Sequence, residues 1–360
     1  MRLPTVSGAG TWLECHASHQ AQMKYPRLDN TKSQAQLEGL SCHLMLEELI
    51  EGKEIIVDSI DPKWGIVRTQ ELIDAVNKAY EVLPKVVEVE EKIDLSSIYP
   101  GWYGKIDISH QAHGILNVYD VKFGHSYVKV EENPQLMAYA IGKAHQLNLP
   151  SNHTVILHII QPREYRSGEH FWRTWSTTVG ELYNYIPMFK EAIENAMSKV
   201  PTARTGPQCK YCSARSNCNA LRDVAYDVID FSDHLSTTDL NGDQIGVDLK
   251  LVRQALERLK YFETSLEEQA VHNITNGKNV KGWGLIPQLG SLKWKRGVDD
   301  QVVNIAKMYG VDATKTTLIT PRQLENLNVD KSVISLYTEQ TSSMKLVEQS
   351  ANDIAKLFNE

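Results

Sequence analysis

The chain has 360 residues, 42% of them hydrophobic and 23% charged, and its 38 Lys and Arg against 45 Asp and Glu leave a formal net charge of −7. Such a length allows two or three domains around a sizeable core, and the acidic balance excludes a histone-like binder that grips nucleic acid by bulk charge, so any DNA contact must be local. No run approaches the roughly eighteen apolar residues of a membrane span, and Met1-Arg2-Leu3-Pro4-Thr5 lacks the apolar stretch of a signal peptide, so the expectation is a soluble, cytoplasmic protein without membrane contact.

Residues 1–33 read as irregular, with Cys15 in Trp12-Leu13-Glu14-Cys15-His16 and a break at Pro26. From Ser33 to Glu51, Leu37, Leu40, Leu44 and Leu49 recur at helical spacing and Gly52 supplies a stop; this helix carries Glu38, Gly39, Cys42 and His43. A second amphipathic helix is predicted over 68–82, ended by Pro84, and a strand from Val86 to Leu95 holds Glu90 and Glu91. Gly104 to Ser109 and Ile115 to Phe123 alternate polar and apolar residues around the turn material His110 to Gly114, which reads as a β-hairpin. Pro134 suits the first turn of a helix running through Gln135, Leu136, Tyr139 and Ile141 to about His145. Thr154 to Gln161 and Trp172 to Thr178 read as strands, and Gly180 to Val200 as one long helix leading into a cysteine loop. Beyond Asp230 come a polar stretch from Ser232 to Asp243, a long helix from Ile245 to Ile274, a region with Trp283 and Trp294, and short helices to the end. The order predicts an α/β core with a mixed sheet over residues 1–228 and a mostly helical C-terminal extension over 229–360.

The hairpin carries the chemistry. In an antiparallel pair Asp107 and Asp120 can lie on one face, and Lys122, two residues past Asp120, points the same way. Two unpartnered carboxylates repel, and the usual relief is a hard divalent cation, so Mg²⁺ or Mn²⁺ fits the arrangement. Such an ion acidifies a bound water and neutralises phosphate charge, while a nearby ammonium orients that water or stabilises an oxyanion. On the hairpin alone, the bland alternative of three solvated charges is the commoner case.

Five cysteines, an odd number, fit poorly with a secreted disulfide framework. Cys209, Cys212 and Cys218 form C-x2-C-x5-C in a loop-rich stretch, with Cys15 and Cys42 far upstream, a metal site short of one ligand. Four thiolates suit either a [4Fe-4S] cluster or Zn²⁺.

Gly39-x-x-x-His43, Gly104-x-x-Asp107, Asp120-x-Lys122 and Gln135-x-x-x-Tyr139, in that order, resemble the motif series of the RecB-like branch of the PD-(D/E)XK nuclease superfamily. Cys15 ahead of the first motif, with Cys209, Cys212 and Cys218 after the core, resembles its iron–sulfur subgroup, which includes the AddB nuclease domain and the CRISPR-adaptation nucleases. Asn133-Pro134-Gln135-Leu136, and a tail with Gly282-Trp283 and Lys293-Trp294, are closest to members encoded by bacteriophages and prophages. The likeness covers about residues 9 to 222 well and the tail more weakly. It implies a restriction-endonuclease-like core; His43, Asp107, Asp120 and the Val121 carbonyl as ligands of Mg²⁺ or Mn²⁺; Lys122 activating or orienting the attacking water; Gln135 and Tyr139 supporting the lysine or touching the DNA backbone; and Cys15, Cys209, Cys212 and Cys218 holding a [4Fe-4S] cluster rather than Zn²⁺. Function then follows as a metal-dependent deoxyribonuclease, first of all an exonuclease acting on DNA ends in phage recombination, replication or repair, in bacterial cytoplasm or a phage-infected cell. A single-strand-annealing or other recombination protein is the implied partner.

Blander readings accompany each of these. His43 on an apolar helix face is ordinarily a packed core histidine, and Glu38 is either a partner for it or a surface charge. Glu91 is a candidate for a second metal or a solvated strand-end carboxylate, Tyr139 alone is core, and Cys42 is a small buried apolar residue. Lys293-Trp294-Lys295-Arg296 suits single-stranded DNA by stacking and charge, or an edge strand with Trp294 packed inward. The competing function is a catalytically idle DNA-end-binding or assembly module on the same scaffold, against which the intact Asp107, Asp120 and Lys122 argue.

Overall fold

The computed structural model describes residues 2–28, 33–164, 170–232, 241–295, 297–313, 320–326 and 329–348. Arg296 and residues 233–240 of the polar stretch lie outside that set. Contacts divide the chain into two compact units, Met1–Glu263 and Thr264–Glu360. None of the described helices is long and apolar enough to cross a membrane.

The first unit begins with α1 (Ala9–Trp12) and α2 (Ala17–Lys24), where the sequence reads as irregular. The difference has a physical reason: α2 buries only Ser18, so it carries no apolar stripe to detect. Long-range hydrogen bonds hold it instead. Ala17 N–H donates to Thr202 O at 2.9 Å, Gln20 Nε2 donates to Ala196 O at 2.8 Å and Ser198 O at 2.7 Å, and Ser213 Oγ donates to Tyr25 O at 2.8 Å.

Helix α3 (Gln34–Ile50) opens on a capping box between Ser33 and Gln36, and α4 (Gln70–Tyr80) on a Thr69 cap, burying Leu72, Ile73, Val76 and Ala79 along one stripe. Strands β1 (Glu88–Asp94), β2 (Tyr103–Ala112) and β3 (Ile115–Val121) follow as an antiparallel meander. The chain crosses through α5 (Pro134–Gln146) to β4 (Thr154–Ile160), parallel to β3, and returns antiparallel as β5 (Trp172–Thr178). The result is a mixed five-stranded sheet in the order β1-β2-β3-β4-β5, the α/β core that the sequence predicts. A helical crossover is what a parallel pair requires. The single helix expected over 180–200 is two, α6 (Val179–Tyr183) and α7 (Ile186–Ala196); the chain turns at Asn184-Tyr185, and Pro187 is tolerated only because it falls in the first turn of α7. Helix α8 (Asn219–Ser232) and the long α9 (Gly242–Thr275), which runs across the division between units, come next.

Two cores sandwich the sheet. One packs α5, α6 and α7 on Leu116, Val118, Val155, Leu157 and Ile159; the other packs α3 and α4 on Tyr119, Val121 and Ile160. Strands β1 and β2 change sides between them. Ile106 lies in the α5 core and Ile108 in the α3/α4 core, and Ile93 and Val89 are divided likewise, although residues of like parity on one strand should share a face. The switch falls at the facing positions Glu90 and Asp107, where Glu90 adopts a left-handed φ of 55°.

In the second unit β6 (Trp283–Trp294) pairs antiparallel with a final strand, β7 (Thr338–Glu348), around α10 (Asp299–Met308), α11 (Pro321–Asn326) and α12 (Lys331–Tyr337). The short helices are present, but the last described element is this strand. A small core of Val302, Ala306, Leu324, Val329 and Ile334 takes Trp294 against it.

Helix α5 is buried from Leu136 to Ala144, and it reaches the sheet through Gly142: a Cβ there would collide with Leu95 and Ile93. Gly142→Ala should destabilise the protein by about 1–3 kcal/mol through overpacking, measured by urea unfolding. An unchanged midpoint would show that α5 lies more loosely on β1 than described.

Candidate functional site

Three elements bring the motif residues together. Asn133 caps α5, its side chain accepting from Gln135 N and Leu136 N at 3.1 and 3.2 Å, and Pro134 fills the first turn, which aims Gln135 at the end of β3. Asp120, 1% exposed, lies near the end of β3. Its Oδ1 accepts from Lys122 Nζ at 2.8 Å and from Gln135 Nε2 at 3.0 Å, while Gln135 Oε1 accepts from the same ammonium at 3.4 Å. Its Oδ2 has no hydrogen-bond partner.

Asp107 approaches from β2 at the point where that strand changes faces. Its Oδ2 accepts the Val121 N–H at 3.1 Å, so a side chain takes up the β3 backbone where the β2–β3 pairing ends at Ile108 and Tyr119. Tyr139 lies across Gly104, where any Cβ would come within 2.5 Å of its ring; the glycine of G-x-x-D makes room for the aromatic. His43 comes from α3 on the other side of the sheet, and with Glu47, Glu90, Asp107 and Val121 it lines one small cavity.

The electrostatics of this cluster are those of charge withdrawn from water. Burial raises Asp120 to about 6, and the neighbouring Asp107 adds to the rise against the pull of Lys122. Burial also raises Asp107, opposed by Lys122 and the Val121 N–H. For Lys122 burial acts to lower the pKa, but the two carboxylates outweigh it and the ammonium is held more firmly charged than usual. Burial and the Lys122 charge lower His43 to about 4, so its imidazole is neutral at physiological pH with a lone pair free to ligate.

The donor chemistry fits a hard divalent cation: two carboxyls that repel when ionised, a spare buried Oδ2 and a neutral imidazole beside them. As the side chains stand, no three His, Cys, Asp or Glu among the described residues close around one point. Asp120, Lys122 and Gln135 form one bonded cluster with Tyr139 beside it, and Asp107, bonded to the Val121 N–H, lies with His43 and Val121 on the adjoining cavity.

Other sequence candidates go elsewhere. Glu38 pairs with Arg163 at 3.0 Å rather than with His43, and Glu91 pairs with Lys143 and Gln146 on α5. Glu47 and Glu90, passed over as site residues, line the cavity. Glu47 was findable, since it stands four residues after His43 on the same helical face; Glu90 owes its place to its unusual φ, which has no signature in sequence.

The cysteines also gather. Burial raises Cys212 to about 11, with Cys15, Cys209 and Cys218 adding to the rise, and the Cys209 thiol likewise feels Cys218 and Cys15. Cys15 Sγ accepts the Arg204 N–H at 3.5 Å and Cys209 Sγ the Gly206 N–H at 3.4 Å. All five cysteines are free, and Cys42 is buried apart from the other four on α3. Cys15 and Cys218 act on both Cys209 and Cys212, a set of thiols whose chemistry suits a soft metal or an iron–sulfur cluster, although as they stand no three of them close around one point.

Residues 3–351 match the family described as "Protein of unknown function (DUF2800)", and the chain belongs to it. A solved structure described as "Crystal structure of SSO0001" is 16% identical over 60% of this chain and 86% of that one, with a TM-score of 0.30, a likeness too slight to bear on fold or function.

The pKa shifts make the site's response to a cation depend on pH. Folding raises the Asp120 pKa, so its protonation stabilises the fold below the unfolded value of 3.8 and that contribution is lost as pH rises through about 6. His43 has the opposite sign: its neutral form stabilises above 6.5, and that contribution is lost as pH falls towards about 4. A cation matched to the ionised carboxyls should therefore help most at higher pH. The rise in Tm on exchanging EDTA for Mg²⁺ should grow from about pH 5 to about pH 7 and disappear in Asp120→Asn. An equal rise at both values would show that the ion acts elsewhere.

Proposed function

We propose that this DUF2800 member is a metal-dependent deoxyribonuclease of the PD-(D/E)XK type, in its RecB-like iron–sulfur branch, acting on DNA ends. The observation that carries the reading is buried Asp120, hydrogen-bonded to Lys122 and Gln135 with its Oδ2 left without a donor, and the half-buried Asp107 beside it on the Val121 N–H. An assembly module would have no use for so costly a cluster.

His43, Asp107, Asp120 and the Val121 carbonyl would hold Mg²⁺ or Mn²⁺. When bound, the ion supplies Lewis-acid stabilisation of the phosphate and a more acidic water. The protein's own groups divide the rest. Lys122, held protonated by the two carboxylates, is a donor and not a base; it orients the attacking water or meets developing negative charge on the phosphate. Gln135 holds that ammonium and Asp120 in mutual register. Tyr139, whose pKa is pushed up by burial and by both carboxylates, stays a neutral phenol. The resemblance extends the proposal to end-processing in phage recombination, with a single-strand-annealing protein as partner in the bacterial cytoplasm.

The four cysteines would hold a [4Fe-4S] cluster that clamps the N-terminal segment to the stretch after α7, a structural role next to hydrogen bonds that already join the same segments.

Linear and circular DNA incubated with Mg²⁺, Mn²⁺ or EDTA test the activity. Metal-dependent loss of the linear form alone is expected, and Asp120→Ala and Lys122→Ala should each cut the rate by at least about a hundredfold with the fold intact. Loss of both forms would mean an endonuclease, while binding without loss, or unaffected variants, would sink the nuclease reading. Anaerobically purified protein should be brown with broad absorption near about 400 nm. Cys209→Ser should lose that colour and lower the Tm before it slows cleavage, and full activity loss in a folded, colourless protein would refute the structural role.

A further inference from the structure

This inference rests on the nuclease reading. A metal-ligating imidazole usually has its second ring nitrogen held by a carboxylate or carbonyl. His43 differs: among the described residues no hydrogen bond fixes its ring, and its place is set by α3 and by Phe123, whose ring meets it edge-on at 5.3 Å and 88°.

Both supports lead to one side chain. Arg163, 6% exposed, follows β4 and reaches back under the α3 side of the sheet. Its Nη2 donates to Glu38 at 3.0 Å and to Glu71 at 3.3 Å, and its Nη1 donates to the Phe123 carbonyl at 3.4 Å. Glu38 lies on α3 five residues before His43, Glu71 lies in the first turn of α4, and Phe123 is the residue whose ring abuts the imidazole. The Arg163 backbone is fixed in turn, its carbonyl accepting from His125 Nδ1 at 2.8 Å. Cys42, next to His43, lies close enough to feel the charges of Arg163, Glu38 and Glu71. One guanidinium thus ties together both elements that hold the ring.

We propose that Arg163 is a positioning residue that sets the orientation of His43 toward the metal, acting through Glu38 on α3 and through the backbone of Phe123. The planar fork is what the task needs: three acceptors in three directions exceed what a lysine ammonium on a flexible stem would hold in place.

Manganese binding to the purified full chain tests this, followed by titration calorimetry and by histidine-nitrogen modulation in the pulsed EPR spectrum of bound Mn²⁺. Wild type should show nitrogen coupling that His43→Ala removes. If the coupling is absent, or survives in His43→Ala, the assignment of His43 fails and this inference falls with it. Given that coupling, Arg163→Lys should weaken Mn²⁺ binding by roughly tenfold or more and diminish the nitrogen signal. Glu38→Gln, a milder change that keeps the test open if Arg163→Lys does not fold, should act in the same direction. Lys143→Met, which removes a buried lysine paired with Glu88 and Glu91 far along α5, controls for lost stability; it should lower the Tm and leave Mn²⁺ binding within about twofold of wild type. Wild-type affinity and coupling in either folded test variant would overturn the proposal, as would an equal loss in Lys143→Met.

Discussion

Burying the Asp120 carboxyl at the end of a central strand, beside a half-buried Asp107 and a Lys122 side chain one-third exposed, is the constraint around which the first unit is arranged. Burial raises both carboxyl pKa values, and Lys122 leads the groups that oppose that cost, with Gln135 and the Val121 N–H bonding to the carboxyls. Each helper needs its own support. Gln135 arrives because Asn133 and Pro134 fix the start of α5, and α5 itself is buried through nine consecutive residues, leaving little freedom for the helix to shift. The Val121 N–H is available to Asp107 because ladder pairing of β2 with β3 stops at Tyr119, two positions earlier. The arrangement leaves Asp120 Oδ2 without a hydrogen-bond donor, the oxygen that the proposed cation would take up.

The change of faces in β1 and β2 explains how a site can draw on both sides of a sheet. Helix α3 with His43 and helix α5 with Gln135 and Tyr139 lie on opposite faces. A regular strand would present Asp107 to only one of them. The irregularity at Glu90 and Asp107 places that carboxyl where the two layers meet, within reach of the Val121 backbone and on the cavity of His43. Left-handed backbone at a non-glycine residue is costly, and here it falls beside the acidic cluster.

Much of this was legible in residues. The hairpin, the helix opened by Asn133-Pro134 and the mixed sheet follow from alternation, capping chemistry and element order, which are local. Spacing also pointed at Asp107, Asp120 and Lys122, because the period-two rule projects them to one face, while Gln135 and Tyr139 entered through the family resemblance. Two things were hidden. Partner choice is not local: Glu38 joins Arg163 across 125 positions and Lys143 draws Glu91 across 52, so neither carboxylate was free for a metal. Helix α2 was hidden for a different reason, since it is held by backbone and amide hydrogen bonds rather than by an apolar stripe, and periodicity sees only stripes.

The way α2 is held also bears on how the chain is made. Its hydrogen-bond partners lie 176 to 191 residues further on, at Ala196, Ser198 and Ser213. A growing chain on a ribosome therefore exposes α2, and Cys15 just before it, throughout synthesis of the entire sheet, and closes that seam only once the segment after α7 has emerged. Joining ends so far apart is a late and slow step. The N-terminal segment is thus the last piece of the first unit to become protected, and the part most open to chaperones, proteases or a metal-delivery factor while translation continues.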